Sequence, residues 1–151
     1  IHAEKSGLSI DYRAATVEEI AESGERFDIV VASEVVEHVA DLDLFVQRGA
    51  ECVAPGGLMI VTTINRTLKS FALAIVGAEY ILRWLPVGTH RWDKFVTPDE
   101  LGDALHDAGL SVIDEDGIVY HLPSGEWRRA DDMDVNYMMA AEKRIVLADK
   151  G

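Results

Sequence analysis

The chain has 151 residues, 48% of them hydrophobic, which suffices for one domain with a sizeable core. Its 27 acidic against 14 basic residues leave a net charge of −13; this argues against nucleic acid, which selects a positive footprint. The lone Cys52 excludes an internal disulfide and suits a reducing compartment, and no apolar run reaches the roughly 18 residues that would mark a membrane-spanning helix.

The chain opens at Ile1, inside the helical pattern IHAEKSG, so it reads as a piece of a longer protein. Residues 8–12 are a candidate strand. Thr16 followed three residues later by Glu19 has the form of a capping box opening a short helix. Residues 27–32, FDIVVA, are short, apolar and β-branched, and predict a strand buried on both faces. Asp41 is placed to cap a helix running to about Val53, with Leu42, Phe45, Val46 and Val53 on one side. Pro55-Gly56-Gly57 is expected to end that helix and start a strand over residues 58–63. Thr97-Pro98-Asp99-Glu100 places proline in the first turn of a further helix ending at Gly109. Residues 110–119 and 137–141 read as late strands separated by a polar, turn-rich segment. Strands alternating with amphipathic helices indicate an α/β fold around a mostly parallel sheet.

Ser33, Glu34, Glu37 and His38 follow the apolar strand directly, and the carboxyl ends of such strands are where open α/β sheets bind ligands. If the chain turns helical there, the i, i+3, i+4 spacing of Glu34, Glu37 and His38 aims all three side chains the same way.

Residues 68–87 break the rhythm. LKSFALAIVGAEYILRWLPV holds too many large apolar side chains for an ordinary surface helix, and is too short and polar to span a bilayer. Between Ile64 and Phe95 five cations stand against two anions, so the acidic chain carries a locally basic stretch. Apolar residues with Tyr80, Trp84 and flanking cations suit an interfacial membrane contact; a helical cover over the site or a dimer contact are the alternatives.

Taken in order, SEVVEHV, APGG, TTINRT, VGAEYILRWLPVGTH, KFVTPDEL and DVNYM resemble the O-methyltransferases of ubiquinone biosynthesis over nearly the whole chain. The first two motifs are widespread among S-adenosylmethionine-dependent methyltransferases; the AEYILRWLPVGTH and DVNYM segments are more specific. The resemblance implies a Rossmann-like methyltransferase fold with strand order 3-2-1-4-5-7-6, here one domain over residues 1–151, truncated at its N-terminus, with a helical insertion (66–95) between strands 5 and 6. The family's glycine-rich loop and ribose-binding acid precede Ile1, so this stretch alone is expected to bind the cofactor weakly or not at all, and strand 4 is expected to be left as an open edge.

The implied reaction moves a methyl group from S-adenosylmethionine to a catechol hydroxyl of a polyprenylated ring. Ionising a phenol of pKa about 10 at pH 7 costs about 4 kcal/mol. Mg²⁺ held by Glu34, Glu37 and His38 would lower that cost; a metal-free site with His38 as base is the alternative. Ser33 matches a position that meets the cofactor, and Val17-Glu18 follows the expected third strand where the family meets adenine. Asn65 faces the same edge. His90, in GTHRWDKF, is a second base candidate or a lid residue, whereas Trp92 and Trp127 read as packing anchors. The resemblance implies a peripheral protein on the cytoplasmic side of a bacterial inner membrane, or the matrix side of the mitochondrial one, in contact with lipid through residues 68–87 and open to membership of a biosynthetic complex. A metal-free methyltransferase of another small molecule and a non-catalytic scaffold are the competing readings.

Overall fold

In the computed structural model, residues 2–73, 75, 91–121 and 123–145 are described. After a short helix, α1 (His2–Lys5), comes α2 (Val17–Ser23), opened by the expected capping box: the Thr16 hydroxyl accepts from the Glu19 amide and the Glu19 carboxylate accepts from the Thr16 amide. Strand β1 (Phe27–Ser33) leads into a 3₁₀ turn (Val36–His38) and then α3 (Leu42–Cys52), whose first turn is capped by the Asp41 carboxylate. Strand β2 (Val53–Ile64) follows, then one helical turn, α4 (Leu68–Ser70), and the helix α5 (Pro98–Asp107). The chain closes with β3 (Leu110–His121), β4 (Glu126–Ala130) and β5 (Asn136–Lys143).

The five strands form one sheet in the order β1-β2-β5-β3-β4. β1 and β2 are parallel, and β5 runs antiparallel between β2 and β3. β1, β2, β5 and β3 thus take the places of strands 4, 5, 7 and 6 of the expected order. The carboxyl ends of β1, β2 and β3 lie along one edge, with the start of β5.

α3 and α5 cover one face of the sheet. Beneath them Val46, Met59, Val61, Leu101, Leu105, Tyr137 and Met139 make the core, and Cys52 is buried as well. Lys143 ties sheet to helix by donating to the carbonyls of Ala50 (2.7 Å) and Val53 (3.0 Å). Burial lowers its pKa, while orphan carbonyls at a helix end welcome a cation.

Five expectations need correction. Residues 8–12 form no strand, and Leu8, Ile10 and Tyr12 are exposed; a strand needs a paired neighbour, and strand 2 of that order is absent from the described sheet. β1 is buried on one face only, because Ile29 and Val31 are 57% and 60% exposed on the other. Pro55-Gly56-Gly57 does not separate helix from strand: α3 stops at Cys52, and the triplet sits inside β2, where the ladder slips between the pairs Phe27–Val53 and Ile29–Leu58. Gly57 there lies so close to β1 that a Cβ would approach the Asp28 carbonyl oxygen to 2.7 Å. The polar segment before β5 contains the strand β4, which pairs with β3. Finally, Trp127 packs little: it is 61% exposed, with its ring tilted against Tyr120.

Candidate active site

The end of β1 and the end of β2 are adjacent in register, with Ser33 beside Thr62. Three side chains join there. The Ser33 and Thr62 hydroxyl oxygens are 2.9 Å apart, and the Thr62 hydroxyl donates to the Glu34 carboxylate at 3.1 Å. Glu34 is the one described non-glycine residue with positive φ, at 52°. That conformation is uncommon for such a side chain, and backbone strain of this kind gathers at functional sites. It also turns the chain out of the strand at once, so the expected helix does not form.

Glu37 goes elsewhere. It is buried, and its carboxylate accepts from the Thr63 hydroxyl at 2.6 Å. Thr62 and Thr63 are consecutive strand residues, so their side chains point to opposite faces of the sheet. Glu34 follows the first and Glu37 the second. His38 lies at the solvent edge with its Nε2 3.9 Å from the Glu37 carboxylate, too long for a hydrogen bond. The shared face expected for Glu34, Glu37 and His38 is therefore not formed. Among the described residues no group of three His, Cys, Asp or Glu is placed to hold a metal ion. The expected Mg²⁺ site does not fit these positions.

Val17 and Glu18 open α2, half-buried, on a helix that packs against α3. The structure joins Ser33 to Glu34 through Thr62 but brings neither Val17 nor Glu18 into that network. Asn65 is at the expected edge but serves the fold: its amide group donates to the Met133 carbonyl at 3.0 Å. His90 and most of residues 68–87 lie outside the described residues. The described start of that stretch does expose Leu68, Phe71 and Leu73.

The two threonines escaped sequence reasoning. Their only signal is the period of two in β2, which separates Thr62 from the buried Val61 and Thr63. Also unforeseen was the turn before α5. The Trp92 indole donates to the Thr67 carbonyl (3.1 Å), so this partly exposed tryptophan is held by a hydrogen bond rather than by burial in the core. Arg66 donates to the Phe95 carbonyl (3.1 Å) and pairs with Glu100, and the buried Tyr137 hydroxyl donates to the Val96 carbonyl (3.0 Å). Burial, then the charges of Glu100 and Glu37, push the Tyr137 pKa far up, so it serves as a neutral donor.

The methyltransferase domain family matches residues 4–115. The chain belongs to that family. This methyltransferase chain is 60% identical over 143 residues to the ubiquinone biosynthesis O-methyltransferase of Chelativorans sp., covering 95% of the chain and 56% of that relative. It is 59% identical over 143 residues to the protein of the same name from Brucella anthropi, covering 95% and 58%. The chain thus spans little more than half the length of these relatives. Among solved structures it resembles an O-methyltransferase family protein from Burkholderia thailandensis (TM-score 0.60, 14% identity, 96% of this chain and 39% of that one). A SAM-dependent methyltransferase from Aquifex aeolicus is similar too (TM-score 0.58, 10% identity, 94% and 60%). At such identities these likenesses bear on the fold, which is the Rossmann-like methyltransferase fold.

Proposed function

We propose that the protein methylates a catechol hydroxyl of a polyprenylated ubiquinone precursor, with S-adenosylmethionine as donor. The observation that carries this reading is the 60% identity over 143 residues to a ubiquinone biosynthesis O-methyltransferase. The site is consistent with it: a strained turn and an exposed imidazole stand at the carboxyl ends of two parallel strands.

S-adenosylmethionine supplies an electrophilic methyl group on a sulfonium. The linked hydroxyls and carboxylate of Ser33, Thr62 and Glu34 line the strand ends where that donor would rest, with Val17 and Glu18 assigned to its adenine end. Glu37, fixed to Thr63 in the sheet, anchors the turn that presents His38. His38 is the base that takes the proton of the ring hydroxyl. The divergence of Glu34 and Glu37 favours this metal-free form of the chemistry over one with Mg²⁺, and no step here uses the ion.

A substrate with a prenyl tail stays in the bilayer, so the enzyme works at its surface. The exposed Leu68, Phe71 and Leu73, at the start of the insertion (66–95) within the single domain, support contact through residues 68–87. The setting that follows is peripheral to the inner membrane, on the cytoplasmic side in a bacterium or the matrix side in a mitochondrion, with a biosynthetic complex as further company. The test is incubation of the full chain with labelled S-adenosylmethionine and a short-tailed prenyl catechol. A labelled aryl methyl ether is expected; its absence overturns the reading.

A further inference from the structure

We propose that a small cavity beside the turn that carries His38 is the subsite for the first isoprene unit of the acceptor's tail; this rests on the reading of the protein as a methyltransferase of a polyprenylated catechol. The cavity, of about 180 Å³, has Val36, Val39, Ala40, Leu42, Phe95 and Val96 as its apolar walls. An apolar cavity on the order of 150 Å³ holds a six-carbon ring. This one therefore takes about one branched five-carbon unit, with the catechol ring left outside.

Its position selects the part of the substrate that it meets. Val36 opens the 3₁₀ turn that ends at His38, and Val39 is the next residue. The remaining walls come from the two roots of the insertion: Arg66, just after β2, and Phe95 and Val96, where the chain returns. These roots are tied together by the bond from the Trp92 indole to the Thr67 carbonyl. The cavity thus touches both the base of the stretch assigned to lipid and the turn of the residue assigned as the base. A tail held in the bilayer, with its ring at His38, passes here with the unit nearest the ring.

The polar groups of the lining are already matched. Arg66 is paired with Glu100, while Asp93 accepts from Arg91 at 2.7 Å and lies in the field of Lys94. The Phe95 carbonyl accepts from Arg66 and the Val96 carbonyl from the Tyr137 hydroxyl. Among the described residues no buried side-chain nitrogen or oxygen lacks a hydrogen-bond partner. A polar ligand would exchange its bonds to water for few here, whereas an alkenyl unit gains by leaving water. The aliphatic stems of Arg66 and Lys94 add to the apolar wall while their heads stay with their carboxylates.

The experiment measures the affinity of the full chain, in lipid-free buffer without methyl donor, for catechols carrying no, one, two and three isoprene units. Affinity should rise about tenfold or more with the first unit and little with the later ones, because only the first is buried. Ala40→Phe, at an exposed wall position, fills the cavity and should remove the first step; Val39→Phe should do the same. Equal steps for every unit, no first step in wild type, or a first step that survives both substitutions overturns the subsite. The wild-type series decides by itself should neither variant fold. Methyl transfer by wild type to the one-unit catechol upholds the catechol reading in each of these cases, and its absence overturns that reading.

Discussion

On one face of the sheet Met59, Val61, Tyr137 and Met139 lie under α3 and α5 and are almost fully buried; on the other, Ile29 and Val31 of β1 meet solvent. Both faces carry side chains suited to a core. Apolar composition therefore says that a strand face can be covered, and only the packing of the other elements says whether it is. The contrast has an energetic form. Leu101→Ala, beneath the sheet, should cost about 2–5 kcal/mol in urea denaturation, through lost transfer energy and the cavity left behind. Val31→Ala should stay within about 0.5 kcal/mol. A loss at Val31 as large as at Leu101 would break the contrast and mean that further polypeptide covers that face.

The junction of β1 with β2 offers a second comparison. Gly57 packs against the β1 backbone, whereas a Cβ at Gly102, on α5, would meet nothing within 4 Å. Gly57→Ala should destabilise by about 1–3 kcal/mol, because the crowding atom is a carbonyl oxygen that cannot swing away. Gly102→Ala should stabilise by up to about 1 kcal/mol, as alanine is the better helix former. Thermal unfolding of the two variants reads both signs, and a neutral Gly57→Ala would show that β1 can shift on β2.

Thr62 and Thr63 sharpen the contrast at the site itself. Thr63→Val leaves the buried Glu37 carboxylate without its hydroxyl donor and should cost about 1–3 kcal/mol. Thr62→Val removes a bond between groups open to water and should cost less than about 0.5 kcal/mol, its effect appearing instead in donor affinity. Equal stability losses at both positions would contradict the assignment of these residues to opposite faces.

Local chemistry was the legible part. The capping box at Thr16, the Asp41 cap and the proline after Thr97 marked where helices begin, because each is decided by residues within one turn. The strand order followed from the resemblance rather than from periodicity. What failed depended on distant partners. Residues 8–12 have strand composition but no neighbour to pair with. Glu34 and Glu37 have metal-ligand spacing, but a positive φ at Glu34 and two threonines some 26–28 residues further along the chain send their carboxylates apart.

The smallest effect concerns Glu100, which joins the covered face to the ligand edge. Burial would raise its pKa, but the Thr97 amide and Arg66 outweigh that and hold it below the ordinary carboxylate range. Because the folded value is depressed, the stabilisation is present in full above the unfolded value near 4.3 and is lost as pH falls through the folded value. The side chain is 44% exposed, so solvent screens much of the pairing. Glu100→Gln keeps an acceptor for the Thr97 amide and removes only the charge. Its stability deficit against wild type should be small and constant around neutral pH, shrinking towards zero in acid. A deficit that persists at the lowest pH would show that the loss in Glu100→Gln does not come from the charge that pairs with Arg66.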